Sequence, residues 1–129
     1  MTLDLNTALA NAILDRYDVE FPAGSVVELR SGVPPGADSA AGGTLLCSIT
    51  LPATPWAAAA AGSKAKAGVW SGVGVAAGNA GHFRLRNSTD TKREEGSITA
   101  VGGGGDMTLD NINIAVSQSV TVTTFLRTL

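Results

Sequence analysis

The first twenty residues repeat apolar side chains with the period of an α-helix. The apolar positions are Leu5, Leu9, Ala12 and Ile13. Thr2 or Asp4 is placed to cap the helix, and the sequence "FPAG" at 21–24 ends it. A helix of about 14 residues is only marginally stable alone. Its apolar stripe is therefore expected to dock on the chain's own sheet or on a neighbouring subunit.

Beyond this segment the period changes to two, which indicates β-strands. The clearest case is "HFRLRN", where Phe83 and Leu85 alternate with His82, Arg84 and Arg86. Comparable runs are "SVVELRS", "TLLCSITL", "SITAV", "MTLDNINIAV" and "SVTVTTFLRTL". Roughly eight strands without alternating helices favour a β-sandwich or barrel over a doubly wound sheet. The predicted fold class is all-β, a jelly-roll-like β-sandwich with one short N-terminal α-helix.

Glycine and proline separate the strands and mark unusual segments. "GVPPGADSAAGG" (32–43) is predicted to be a loop that Pro34 and Pro35 stiffen. In "GVWSGVGVAAGNAG", alternating glycines on one strand face indicate either close approach of another backbone or a bulge. "TLLCSITL" is expected to be a central strand, and "GGGGD" (102–106) a hairpin connection. "PATPWAAAAAGSKAKAG" mixes prolines with alanines, which predicts an irregular or edge segment.

The composition bounds the size, the core and the partners of the fold. A chain of 129 residues fits one domain, here divided into a helical arm (1–20) and a β-sandwich domain (21–129). Aromatic residues make up only 5%, so we expect a thin core of Val, Ile and Leu. The net charge of −2 argues against nucleic acid and anionic membranes as partners, because both require a basic surplus. The absence of a leader-like or membrane-spanning stretch predicts synthesis in the cytoplasm.

Side chains suited to catalysis or metal binding are few. His82 is the only histidine and Cys47 the only cysteine, which cannot make the usual zinc shell or an internal disulfide. A general base at His82 needs an orienting carboxylate, whereas arginines share its strand face, and we interpret that face as exposed to solvent. The glycine-rich stretches lack the spacing of dinucleotide and phosphate loops. The sequence therefore predicts no catalytic residue, no metal site and no cofactor.

The basic residues near the second half of the chain point to protein contacts. Arg84 and Arg86 lie on one strand face, where arginines are good bidentate donors to carboxylates. Arginine is also enriched at protein interfaces. Lys92 and Arg93 belong to "KREE", which presents both signs of charge at a predicted hairpin tip. This pattern suits a protein surface of mixed charge better than a uniform polyanion.

Four segments of the chain resemble small virion structural proteins of tailed bacteriophages. They are "LNTALANAILDRYD", "VELRSGVPPGADSAAGGTLLCSITLP", "GHFRLRNSTDTKREEGSI" and "DMTLDNINIAVSQSVTVTTF". The likeness covers most of the sequence, and the alanine-rich segment 57–67 and the position of His82 before Phe83 depart from it. The resemblance implies a compact β-sandwich or jelly-roll body in a capsid decoration (cement) protein, or less often in a tail component.

The resemblance and the surface pattern together give the expected function. We expect a non-enzymatic protein of the virion surface, made in the host cytoplasm, that binds the major capsid protein and also itself, most simply as a trimer. One alternative is a tail or baseplate component or a module that binds a host surface. Another is a small enzyme or sugar-binding sandwich, which requires a pocket with convergent polar groups. The expected contact residues are Leu5, Leu9, Ile13, Pro34, Pro35, Arg84, Arg86, Lys92 and Arg93.

Overall fold

The computed structural model describes residues 3–129, and its helical part lies at the N-terminal end. Helix α1 spans Thr7–Leu14, and a single helical turn, α2, spans Tyr17–Glu20. Asn6 caps α1, since its side-chain oxygen accepts a hydrogen bond from the Leu9 N–H at 2.9 Å. The cap is therefore Asn6 and not Asp4, while Thr2, the other predicted cap, lies outside the described residues.

Ten β-strands make up the rest of the regular structure within residues 3–129. They are β1 (Val26–Arg30), β2 (Leu45–Thr50), β3 (Ser63–Ala65), β4 (Ser71–Val73), β5 (Gly78–Asn79), β6 (His82–Arg86), β7 (Arg93–Ala100), β8 (Met107–Leu109), β9 (Asn113–Ile114) and β10 (Ser119–Thr128). Eight strands form one sheet in the order β2-β1-β6-β7-β8-β10-β3, with β4 also paired to β10. β5 and β9 form a separate two-stranded ribbon. The predicted all-β class with a short N-terminal helix is confirmed.

The main sheet curls until its two sides meet. β4 pairs with β10, and just beyond β4 a bridge joins Gly74 to Cys47 of β2. There the Val75 N–H donates to the Leu46 carbonyl at 2.8 Å. The expectation of a central β2 is wrong, because β2 pairs along its length with β1 and meets the other side only at this bridge. One curled, mixed sheet encloses the core, so the finer jelly-roll arrangement is not confirmed.

β7 and β8 follow each other in sequence and pair in parallel, with Ile98 opposite Met107. Parallel partners ordinarily need a crossover of about a dozen residues, whereas residues 101–106 alone make this return. Gly102 and Gly104 have φ values of 85° and 83°, in the left-handed region that glycine adopts without strain. The expected hairpin at "GGGGD" is therefore wrong. The glycines allow the chain to return to the start of β7, so that β8 runs beside β7 in the same direction.

The core is built around aromatic side chains. All six aromatic residues of the chain are joined by ring contacts, namely Tyr17, Phe21, Trp56, Trp70, Phe83 and Phe125. The two tryptophan rings meet edge to face at a centroid distance of 5.1 Å. Such aromatic pairs add about 0.5–1.5 kcal/mol each beyond the burial of their area. The expected Val, Ile and Leu side chains make up most of the core, and the few aromatic residues are concentrated in one place within it.

Glycines beside and within β4 let this segment lie against its neighbours. A Cβ atom at Gly74 would lie 2.2 Å from the Ala115 carbonyl oxygen, and one at Gly72 would lie 2.8 Å from a backbone oxygen of β2. The predicted close backbone approach is confirmed. The valines that alternate with these glycines, Val73 and Val75, face solvent.

The alanine-rich segment is irregular, as the sequence predicts. Residues 57–59 have no regular structure, and short bridges join Trp56 to Lys66 and Ala60 to Ser63 beside β3. β3 in turn pairs with the end of β10. Within residues 3–129, no helix combines the length and apolar character needed to cross a membrane.

Candidate interaction surfaces

Helix α1 is held on the sheet by a buried lysine. The Lys64 side chain of β3 is fully buried, and its Nζ donates to Asp15 Oδ1 at 2.7 Å and to Asp18 Oδ2 at 3.0 Å. Asp15 also accepts from the Ala59 N–H at 2.9 Å, and Asn11 accepts from a further backbone N–H just before β3 at the same distance. We call Lys64, Asp15 and Asp18 the lysine clamp. It fixes which side of the helix faces the sheet.

The contacts of the lysine clamp favour its charged state. Burial opposes the charge on Lys64, but the hydrogen bonds to Asp15 and Asp18 outweigh it and hold the pKa of Lys64 above its ordinary value. The hydrogen bond from Lys64, followed by the one from the Ala59 N–H, lowers the pKa of Asp15. Lys64 and Asp15 therefore form an ion pair across the neutral pH range.

Because the lysine clamp orients α1, the predicted apolar stripe points away from the sheet. Leu5, Leu9 and Ile13 are 41%, 49% and 46% exposed, whereas Ala10 and Leu14 are buried. Docking of the stripe on the chain's own sheet is therefore wrong, and docking on another subunit stays a prediction. We call Leu5, Leu9 and Ile13 the helix ridge. Leu9 and Ile13 lie one turn apart on α1, and Leu5 lies just before the helix. Adjacent exposed apolar side chains of this kind are typical of a protein contact.

A shallow, mostly apolar groove adjoins the helix ridge at Ile13. It has a volume of about 240 Å³ and is lined by Ile13, Arg16, Tyr17, Glu20, Phe21, Arg93 and Glu94. The Tyr17 hydroxyl donates to the Glu94 carboxylate. Burial, and then this hydrogen bond, raise the pKa of Tyr17 well above its ordinary value. Tyr17 thus joins α2 to β7 and fixes one wall of the groove.

The expectation that His82, Arg84 and Arg86 form an exposed strand face is wrong. His82 is fully buried, Arg84 is 4% exposed, and Arg86 is partly buried. Arg84 Nε donates to Glu95 Oε2 at 2.7 Å, and its Nη2 donates to two carbonyls of the loop 32–43 at 2.7 and 3.2 Å. The physical reason for the burial is this loop, which folds back over the outer side of β6.

Further hydrogen bonds fasten the loop 32–43 to the strands beneath it. His82 Nδ1 lies 3.1 Å from the Gly32 carbonyl oxygen, and the Gly36 N–H donates to Glu95 Oε1 at 2.9 Å. His82 Nε2 has no hydrogen-bond partner among the described residues. Arg84 therefore serves to hold the loop, and its guanidinium is not presented to an outside partner.

A polar cleft of about 260 Å³ opens beside the same loop. We call it the arginine cleft, and it is lined by Glu28, Arg30, Asp38, Ser39, Ala40, Ala41, Arg84, Arg86, Asp90 and Arg93. Glu28 accepts from Arg30 Nε at 3.0 Å and from Arg86 Nε at 3.3 Å. Arg93 Nε donates to Asp90 Oδ1 at 2.8 Å. That hydrogen bond lowers the pKa of Asp90, with a further contribution from the charges of Arg93, Arg86 and Arg84.

The residues predicted to make contacts fall into separate places. The helix ridge holds Leu5, Leu9 and Ile13, and the arginine cleft holds Arg84, Arg86 and Arg93. Pro34 and Pro35 are exposed on the loop, and Lys92 is exposed at the hairpin. The sequence reasoning missed Glu28 and Glu95, which lie opposite Arg84 on its two neighbouring strands. Glu28 lies between Val27 and Leu29, and this alternation was the available signal. Glu95 lies between Glu94 and Gly96 and offers no such signal.

Groups suited to metal or thiol chemistry do not stand out in the described part of the chain. Residues 3–129 contain no cluster of three or more His, Cys, Asp or Glu side chains arranged to hold a metal ion. Cys47 is buried, and this burial raises the pKa of its thiol. A raised pKa keeps the thiol protonated and lowers its reactivity.

A scan against protein-family models, and searches of curated proteins and of solved structures, find no match to this protein. The residues of the protein itself are therefore the basis for assigning a function.

Proposed function

We propose that the protein is a non-enzymatic structural component of a bacteriophage virion, a decoration (cement) protein that binds the capsid surface and links major capsid protein subunits. The sequence resemblance suggests the virion. The observation that carries the proposal is the helix ridge, whose three apolar side chains are 41–49% exposed. Leu9 and Ile13 lie on α1, Leu5 precedes its cap, and α1 is held in place by the ion pairs of Lys64 with Asp15 and Asp18.

A fixed helix ridge favours binding because little freedom is lost when a partner covers it. Complete burial of a Leu or Ile side chain stabilises by about 1.5–3 kcal/mol. The ridge residues are about half exposed, so each contributes roughly 1 kcal/mol when covered. Three such residues stabilise a complex by about 3 kcal/mol, less than a millimolar affinity requires. A single ridge is therefore too weak alone, and the proposal needs further contacts or several copies.

Assembly into a shell supplies the copies. A ligand that binds only the assembled shell stabilises it by mass action. Copies joined to one another bind with avidity, because after the first contact the others form at high effective concentration. The oligomer in this proposal is a trimer, a closed symmetric assembly. The partners in this proposal are the major capsid protein and further copies of the same protein.

The proposal is tested with capsids that lack the protein. Addition of the purified protein should raise the melting temperature of these capsids in scanning calorimetry. Mass spectrometry of virions should give a copy number comparable with that of the major capsid protein. The Leu9→Gln/Ile13→Gln variant should lose capsid binding, whereas Val75→Gln, at an exposed apolar position outside the helix, should retain it.

Two results would contradict the proposal. One is a copy number of only a few per particle, which favours the tail, baseplate or host-binding alternative. The other is an unchanged capsid melting temperature at saturating protein, which excludes a cementing role.

A further inference from the structure

We infer that the arginine cleft binds a carboxylate that a partner protein presents, either on an Asp or Glu residue or at a free C-terminus. The first reason is how the charges of the cleft are paired. Four arginines and three carboxylates line it, but Arg84 is already paired with the buried Glu95, so the remaining charges balance. Glu28 is shared between Arg30 and Arg86, so it neutralises neither of them fully.

Arg86 carries the donors that the fold leaves unused. Its Nε donates to Glu28 at 3.3 Å, and within residues 3–129 its two Nη atoms make no hydrogen bond. Arg84, by contrast, uses both Nε and Nη2 to hold Glu95 and the loop 32–43. A guanidinium with free Nη donors binds a carboxylate through two parallel hydrogen bonds. Arg86 is therefore the residue that would contact the ligand.

The position of Arg86 opposite Arg93 gives a second, independent reason. The two residues are direct cross-strand partners on β6 and β7, and like charges in that relation are destabilising. Asp90, which also lines the cleft, pairs with Arg93 at 2.8 Å. A carboxylate placed between the two guanidinium groups offsets their repulsion. Both side chains can be reached from solvent, since Arg86 is 26% and Arg93 30% exposed.

The acidic residues of the arginine cleft favour a carboxylate over a phosphate. Asp38 and Asp90 belong to the lining, and the Asp38 carboxylate makes no hydrogen bond within the described part of the protein. A dianion meets stronger repulsion from both carboxylates than a single negative charge does. The identity of the partner rests on the proposed function, but the carboxylate chemistry of the arginine cleft does not.

The test is a titration of the full-length protein followed by the NMR signals of the arginine Nε–H groups. The probes are acetyl-Gly-Glu-Gly-amide, its Gln counterpart, acetyl-Gly-Gly-Gly with a free C-terminus, and inorganic phosphate. We expect the Arg86 and Arg93 signals to shift with one or both carboxylate peptides and not with the Gln peptide. A response to only one of the two carboxylate peptides assigns the source of the carboxylate.

Variants make the test specific to the arginine cleft. Arg86→Gln should weaken binding at least about tenfold, as expected for the loss of a charge-assisted hydrogen bond. Asp38→Asn should strengthen binding, because it removes a repulsive charge from an exposed loop position without touching a buried contact. Arg127→Gln, at a 49% exposed arginine outside the cleft lining, is the matched control and should bind as the unmodified protein does.

The inference is overturned if neither carboxylate peptide shifts these signals, if the Gln peptide shifts them equally, or if phosphate binds more tightly. An unfolded Arg86→Gln protein leaves Asp38→Asn as the deciding variant, and an affinity unchanged by that substitution also contradicts the inference. Peptide binding without capsid binding contradicts the proposed function alone. Capsid binding without any peptide response contradicts the carboxylate site alone.

Discussion

Arg84 Nε lies 2.7 Å from Glu95 Oε2, and the two side chains are only 5% and 4% exposed. They face each other across β6 and β7. Arg84 also donates to carbonyls of the loop 32–43, and Glu95 accepts from the Gly36 N–H of that loop. Two strands and the loop above them therefore depend on one buried ion pair.

Replacing Arg84 with Met should destabilise the protein by about 3–5 kcal/mol, because it leaves the buried Glu95 charge without its partner. Chemical denaturation measures the change. Arg84→Met/Glu95→Leu should recover most of the loss, since a buried ion pair replaced by apolar residues is often near neutral. The control Arg16→Met breaks a pair in which Arg16 is 65% exposed, and should cost below about 1 kcal/mol. Equal effects of Arg84→Met and Arg16→Met would show that the buried pair has no special role.

Truncation of the two leucines of α1 should change the free energy of unfolding by very different amounts. Leu14 is 1% exposed and Leu9 is 49% exposed. Leu14→Ala should therefore lower the free energy of unfolding by about 2–5 kcal/mol, and Leu9→Ala should change it by no more than about 0.5 kcal/mol. Denaturant-induced unfolding of the two variants checks this, because both carry the same Leu→Ala substitution. A large loss of stability in Leu9→Ala would mean that the helix ridge packs on the protein itself.

Gly74 should not tolerate a side chain, because a Cβ atom there would meet the Ala115 carbonyl oxygen and the Ile114 side chain. Gly74→Ala is expected to cost about 1–3 kcal/mol through overpacking. The neighbouring Val73 is 54% exposed, so Val73→Ala is the control and should stay within about 0.5 kcal/mol. Thermal unfolding followed by circular dichroism compares them. A melting temperature of Gly74→Ala equal to that of the unmodified protein would argue against the contact between β4 and the segment after β9.

Tyr17 should stay protonated beyond the pH at which a free tyrosine ionises. It is the only tyrosine of the protein, so the ultraviolet absorbance of phenolate reports on this group alone. Its pKa lies above the ordinary value of 10.0; the resulting stabilisation is complete below about pH 10 and is lost as the pH rises further. In strong denaturant the titration should return to the ordinary value. A folded protein that forms phenolate with a midpoint near 10.0 would contradict burial of this hydroxyl.

The strands could be predicted from the periodicity of the sequence. Which face of each strand or helix is covered by the rest of the protein could not. Phe83 and Leu85 alternate with polar residues, and this fixes β6 as a strand. Alternation does not reveal that the loop 32–43 lies over the polar side, because that contact depends on residues about 45 positions away in sequence, such as Ser39 and Arg84. From sequence alone, a polar strand face is therefore predicted to be exposed, even where a distant loop packs over it.

The helix shows the same limit in another form. The spacing of Leu5, Leu9 and Ile13 predicts an amphipathic helix, and the hydrophobic effect alone would turn that side inward. The buried Lys64 decides otherwise, because its ammonium needs the carboxylates of Asp15 and Asp18 and an unpaired buried charge is costly. The helix sequence alone could not predict this contact, because Lys64 lies almost fifty residues further along the chain. Gly72 and Gly74, by contrast, predicted a close backbone contact from their own sequence positions. Close approach of two backbones requires glycine whichever part of the chain supplies the second backbone.

The bridge from β2 to Gly74 and the short bridges beside β3 cover part of the backbone at the two edges of the sheet. Open rims invite copies of a protein to join strand to strand and to grow into fibres. A molecule whose edges are covered in this way is less prone to such growth when it is crowded at high density. In the proposed assembly, contacts between copies would then be made by side chains, so substitutions at the surface could change association while the sheet stays intact.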